Sequence, residues 1–269
     1  MMSKRNVFKA ALVVSVGVVV TTVSAIDANA AVLELGLLID GSGSIEDDDF
    51  GLQLAGYKDA FTDPNFFSNI VEKSEFNSIV IGAFQFGGPS SSPEVVEEIP
   101  WTSITNQSEA EAFGNLFNTS VFEKLDGFTP IGAGIDTITE SIFNNAFTSD
   151  KQIIDISTDG AATSQLKAET AAQAAYVAGI DALNAIGIAL DASDEDDLKT
   201  LTFDETGVAG SGLFFEASTF EDFGPAIKTK LGEEIAGKPV PEPASLLGLT
   251  VLGLVGLGSR VKSRLDAEG

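Results

Sequence analysis

The sequence predicts an α/β fold: a doubly wound, mostly parallel central sheet with helices on both faces. Three observations predict it. Short, nearly continuous apolar runs recur through the middle of the chain, as expected of strands buried on both faces. Stretches with apolar residues at helical spacing separate them. A length of 269 residues with 44% hydrophobic content suits one such domain plus processing segments.

In chain order, residues 33–39 read as a buried strand. Phe50, Leu54, Tyr57 and Phe61 then fall on one face of a helix. Residues 78–86 form a β-rich run that ends at the loop signal Gly87-Gly88-Pro89, and residues 95–101 return as an edge strand in a hairpin with it. Ser108 with Glu111 predicts a capping box at a helix start. Ile131, Ile135, Ile138 and Ile142 mark the next helix, with Pro130 at a helix-starting position. Residues 152–157 form a strand, 164–178 an Ala-rich helix, 182–190 a strand and 213–217 a last strand. Phe220, Phe223, Ile227, Leu231 and Ile235 close the pattern with a helix. Alternation of this kind implies parallel pairing, and ligands of such sheets sit beyond the carboxyl ends of the strands.

Composition narrows the chemistry. There are no cysteines, which excludes disulfides, thiolate zinc sites and cysteine nucleophiles. There are no histidines, which removes the commonest general base and transition-metal ligand. Any metal site must be built from oxygen, favouring Mg²⁺, Mn²⁺ or Ca²⁺. The net charge of −25 argues against nucleic acid and anionic lipid as partners.

Both ends read as processing signals. Lys4, Arg5 and Lys9 precede an apolar run and the small-residue pattern Ala28-Asn29-Ala30, so residues 1–30 are expected to be a cleaved signal peptide. At the other end, Val240-Pro241-Glu242-Pro243-Ala244 leads into a short apolar segment, residues 244–258, followed by Arg260, Lys262 and Arg264. Residues 238–269 resemble the PEP-CTERM sorting signal of Gram-negative bacteria. That resemblance implies recognition by an exosortase and delivery to the cell surface or extracellular matrix; a plain membrane tail is the other reading of the same residues. Trimming residues 1–30 and 244–269 removes six of the 15 basic and three of the 40 acidic residues, leaving a segment of charge −28.

The polar loops at the expected strand ends carry the candidate chemistry. Asp40-Gly41-Ser42-Gly43-Ser44 follows the first strand, and glycines allow its three side-chain oxygens to converge. Ser157-Thr158-Asp159-Gly160 ends another central strand, and Thr129 lies just before a helix. Two carboxylates and three hydroxyls make an oxygen shell suited to Mg²⁺. Asp40-x-Ser42-x-Ser44, then Thr129, then Asp159 resembles the metal-ion-dependent adhesion site of von Willebrand factor A (VWA) domains, and the strand and helix alternation over residues 31–237 fits the same family. In detail the chain is similar to a bacterial family of secreted VWA domains, with Gly56-Tyr57, Pro100-Trp101 and Ile154-Asp155-Ile156-Ser157 as supporting features.

The resemblance implies that Ser42, Ser44 and Thr129 bind the ion, that Asp40 and Asp159 supply charge, and that a partner's carboxylate completes the sphere. The expected function is Mg²⁺-dependent adhesion to a protein or polysaccharide rather than catalysis; a structural matrix component is the alternative. Asp47, Asp48 and Asp49 read as a solvated helix start, residues 191–197 as an acidic loop or a weak calcium site, Asp155 as satisfying nearby backbone donors, and Trp101 as a packing residue.

Overall fold

The computed structural model describes residues 31–76 and 78–236. The expected signal peptide and the C-terminal apolar segment lie outside them. No helix among the described residues is long and apolar enough to cross a membrane.

β1 (Val32–Asp40) is apolar at almost every position because both its faces are covered. Leu33, Leu35, Leu37 and Ile39 point into one core layer, and Leu38 into the other. β2 (Ser78–Gly87) and β4 (Lys151–Thr158) flank β1, both parallel to it. β3 (Glu94–Ile104) pairs antiparallel with β2 and forms one edge. β5 (Ala182–Ile188) and β6 (Phe214–Ala217) continue the parallel sheet on the other side. The strand order is β3-β2-β1-β4-β5-β6. The chain moves outward from β1 to β2 and then crosses to β4. The sheet therefore has its topological switch point at the carboxyl ends of β1 and β4.

α1 (Asp47–Thr62), α2 (Gln107–Gly114) and α6 (Phe220–Ala236) cover one face. α3 (Ile131–Asn144), α4 (Gln165–Ala178) and α5 (Ala192–Leu201) cover the other. The first layer is aromatic: Tyr57 stacks on Phe117 at 5.2 Å, and Phe117 on Phe122 at 5.3 Å. A wide helical turn, Phe67–Val71, adds Phe67, Ile70 and Val71 to it. Trp101 packs against Phe84 and donates its indole N–H to Ser141 Oγ at 2.8 Å, so it is a packing residue as expected.

Four local expectations need correction. The cap of α2 is Asn106, not Ser108: Asn106 Oδ1 accepts from Glu109 N at 3.0 Å, while the Glu109 carboxylate receives Thr105 N at 2.7 Å. Asn caps a helix as well as Ser does, so the spacing alone was ambiguous. Pro130 takes the cap position of α3 and Ile131 the first helical one. Residues 191–197 are neither loop nor EF-hand but the start of α5. Asp191 caps that helix, accepting from Ser193 N at 2.8 Å and Asp194 N at 3.0 Å. Only Leu198 and Leu201 of α5 are buried, too few to write a periodic pattern.

The fourth concerns Asp155, whose partners are side chains rather than backbone donors. Its carboxylate pairs with Lys230 of α6, which also pairs with Glu234 at 2.6 Å. Glu234 accepts from Asn184 Nδ2 at 2.7 Å. Lys230 and Asp155 are fully buried. Burial, and then the Glu234 carboxylate, push the Asp155 carboxyl well above the usual carboxylate range, while Lys230 pulls the other way. Lys230 thus fixes α6 against β4 through charge as well as through the apolar contacts of Phe223, Ile227 and Leu231.

Replacing Lys230 with Met leaves two buried carboxylates facing each other. We expect Lys230→Met to lower the unfolding free energy by about 3–5 kcal/mol, read from the urea midpoint. The sign of its pH dependence follows from the raised carboxyl. The folded state prefers the protonated form, so stability is greatest at acid pH and is lost as pH rises through the folded value. The Lys230→Met variant should therefore gain stability between pH 8 and pH 5.

Candidate metal centre

Because β1 and β4 run parallel and adjacent, their carboxyl ends open on the same edge, with Ile39 opposite Ser157. The loops that follow bring Asp40 and Asp159 to one place. Ser44 Oγ donates to Asp159 Oδ1 at 2.7 Å. Ser42 Oγ lies 3.1 Å from Ser44 Oγ. Thr129 Oγ1 lies 3.4 Å from Ser42 Oγ. Four of the five residues singled out from the sequence thus form one unbroken run of side-chain oxygens, Thr129, Ser42, Ser44 and Asp159. Asp40 sits beneath it: one of its oxygens accepts from Ser42 N at 2.8 Å, the other from Thr158 Oγ1 at 2.6 Å.

Asp40 and Ser42 are buried, Thr129 and Asp159 are half-buried, and Ser44 is exposed. The run therefore leads from the sheet edge out to solvent. Burial pushes the Asp40 carboxyl up to about 6, against the hydrogen bonds from Thr158 and Ser42. Burial also raises Asp159, opposed by Ser44 and reinforced by the carboxylates of Asp49 and Asp194. Among the described residues, no Lys or Arg forms a salt bridge with either aspartate. A buried carboxylate with only neutral donors is costly when ionised, and a cation beside it removes that cost.

The donor set fits a hard divalent cation: five side chains, all oxygen, with two carboxylates for charge. No group of three or more His, Cys, Asp or Glu side chains suited to a metal occurs among the described residues, so a cation at this edge would have to be held by hydroxyls as well as carboxylates.

Several residues that hold the site were not evident in sequence. Gln85 on β2 donates to Glu98 Oε1 at 2.8 Å and Glu123 O at 3.1 Å, and accepts from Leu125 N at 3.0 Å. It fastens the loop that leads to Thr129 onto the sheet. Gly41 makes room for it, since a Cβ at that position would lie 1.9 Å from Gln85 Oε1. Gly127, at φ 80°, passes its backbone against Gly88 and accepts from Gly43 N at 3.0 Å. Lys124 adds a clasp, donating to Ile45 O at 2.8 Å and pairing with Asp126 at 2.6 Å. Thr158 was visible as part of the loop but not as the residue that orients Asp40. Beneath the site, Ser157 Oγ receives Gln53 Nε2 at 2.9 Å and Tyr57 OH at 3.1 Å, tying α1 to the end of β4.

The parallel sheet and its switch point give the chain the α/β fold of von Willebrand factor A domains. The family described as protein of unknown function (DUF1194) matches residues 30–239, and the chain belongs to it. Solved structures share the fold at low identity. The pilus adhesin SpaC of Lactobacillus rhamnosus GG superposes with a TM-score of 0.56 at 16% identity, over 77% of this chain and 31% of that one. The vWF domain of the type V pili tip protein Mfa5 from Porphyromonas gingivalis gives 0.50 at 11% identity, over 79% and 99%. Proximal thread matrix protein 1 of the mussel byssus gives 0.50 at 16% identity, over 78% and 48%. The chain thus spans about a third of the adhesin's length and about half of the byssus protein's. No curated protein matches the sequence.

Removing the Gln85 amide tests how the loop is held. Gln85→Leu should cost about 2 kcal/mol, since it strands Leu125 N and the Glu98 carboxylate in partly buried surroundings. Hydrogen exchange should accelerate at Leu125, Gly88 and Phe128, whose amides belong to the same loop contacts, while β4 amides keep their protection.

Proposed function

We propose that this edge is a divalent-metal adhesion site that binds a partner's carboxylate at the cell surface. The observation that carries the reading is the unbroken run of oxygens from Thr129 through Ser42 and Ser44 to Asp159, set above a buried Asp40 that no Lys or Arg among the described residues pairs with. Ser42, Ser44 and Thr129 would hold the cation, and Asp40 and Asp159 would balance its charge. Mg²⁺ suits this set best, with Mn²⁺ and Ca²⁺ as the other hard cations it can take. When bound, the cation supplies a Lewis-acidic positive charge at the exposed end of the run.

The chain's own residues do the rest. Thr158 and Ser42 N orient Asp40, Gln85 and Lys124 hold the loop that presents Thr129, and the Gln53–Ser157–Tyr57 contacts fix α1 beneath. Binding rather than catalysis is favoured by composition, since no histidine is available as a base and no cysteine as a nucleophile. The SpaC and Mfa5 structures, described as pilus proteins, share the fold, which accords with a surface role. We further read residues 1–30 as an export signal and residues 238–269 as a PEP-CTERM signal for an exosortase, placing the domain at the surface or in the matrix of a Gram-negative bacterium.

Calorimetric titration of the full-length protein with Mg²⁺ tests the reading. One saturable site is expected, with Asp40→Ala and Thr129→Ala each weakening it at least about tenfold, and with thermal stabilisation that grows with Mg²⁺ concentration. Equal binding by wild type and both variants would overturn it and leave a scaffold role.

A further inference from the structure

We infer that the groove between α3 and α4 receives an apolar side chain of a protein partner whose neighbouring carboxylate sits at the metal edge. The inference rests on the metal-site reading and names the class of partner.

The groove, about 530 Å³, begins beside the candidate site. Phe128 and Pro130, on either side of Thr129, form its mouth. Thr163, also in its wall, accepts from Thr129 N at 2.8 Å and donates its own N–H to Thr129 O at 2.9 Å. The backbone of one proposed ligand residue is therefore shared with the groove. Ile131 and Ala171 line it from the buried side, and Leu166 and Phe128 stand at its rim 74% and 49% exposed. Two large apolar side chains left in water at the lip of a concave surface mark a contact site more strongly than scattered ones do.

Charge around the site selects the occupant. Asp49 of α1 and Asp194 of α5 both act on Asp159, and Asp136 of α3 stands in the groove wall. Asp47, Asp48 and Asp126 add exposed carboxylates to that face of the protein. A polysaccharide carrying a carboxylate on each sugar would set its further charges against this rim. A polypeptide can present one carboxylate at the metal edge with an apolar neighbour in the groove and no second acid beside these carboxylates. Lys167, which makes no salt bridge among the described residues, is the one cation in the groove wall. The occupant is thus a protein segment pairing an acidic with an aromatic or aliphatic side chain.

The test uses full-length protein saturated with Mg²⁺ and capped peptides with a central Gly-Asp-Gly, Phe-Asp-Gly, Gly-Asp-Phe or Gly-Asn-Phe. At least one of the two Asp and Phe peptides should bind about tenfold more tightly than Gly-Asp-Gly, from burial of the ring, and Gly-Asn-Phe should not bind. Ala174→Arg, on the exposed side of the groove, should remove the tenfold gain while leaving Mg²⁺ and Gly-Asp-Gly affinities unchanged. Equal affinities for the three Asp peptides would overturn the groove assignment while the metal site stands. So would tighter binding of polygalacturonate than of any peptide, or a Mg²⁺-dependent dimer that Ala174→Arg abolishes, which would make the occupant a second copy. Failure of Mg²⁺ itself to bind, read separately by calorimetry, would remove the metal-site reading and this inference with it.

Discussion

The register of β1 between β2 and β4 is the constraint on which the site depends. Asp40 lies opposite Phe86 on one side, and Ile39 opposite Ser157 on the other. Strand side chains alternate in direction, so a slip of one residue would turn Asp40 away from Thr158 and exchange the two core layers. Polar contacts mark both ends of the strand on the same face. Glu34, near its start, receives Asn145 Nδ2 and, at 2.8 Å, Ser149 Oγ. Asp40, at its end, receives Thr158 Oγ1. Between them the odd positions Leu33, Leu35, Leu37 and Ile39 are committed to the aromatic layer under α1 and α6. A one-residue slip would bury Glu34 and Asp40 among phenylalanines.

From that register the loops follow. The edge where β1 and β4 end is where the outward path of the chain reverses, so two loops diverge there and leave a crevice. The crevice is walled by a third segment, residues 123–129, that belongs to neither strand. Gln85, a fully buried side chain of β2, supplies its attachment with two hydrogen bonds, to Glu123 O and from Leu125 N. Thr129 therefore reaches Ser42 because of a residue on a different strand. A rigid sheet orients the site, and glutamine and lysine clasps hold its loops.

The fold was legible because buried parallel strands and amphipathic helices write strong, separate patterns. Leu33 to Ile39 and Ile131 to Ile142 could be placed from spacing alone. The site was legible in its residue types and order, since Asp40, Ser42, Ser44, Thr129 and Asp159 stand in glycine-rich or proline-marked loops. Their convergence was not written locally, because Gln85, Thr158 and Lys124 act across the sheet. α5 was missed for a similar reason. It touches the core through two leucines, and its acidic first turn is also what a solvated loop looks like. Asp155 was misread because its partner, Lys230, lies 75 residues away on α6, and a lysine in an amphipathic pattern is ordinarily assigned to solvent.

Asp40 and Asp155 show the same problem solved in two ways. Both are fully buried carboxylates on central strands, and burial raises both. Asp155, in mid-strand and out of reach of solvent, is answered from within by Lys230, and Glu234 and Asn184 extend the pairing. That arrangement orders α6 and supplies the counter-charge from within. Asp40, at the strand end, receives only a hydroxyl and an amide, and the oxygens above it lead outward to the exposed Ser44. A chain with 40 acidic and 15 basic residues places one of its few cations deep in the core and, among the described residues, pairs none with Asp40 or Asp159. Under the proposed metal-site reading a cation from solution would supply the counter-charge for Asp40, which would make this edge, and not the more heavily charged interior cluster, the place where the protein exchanges an ion and a partner.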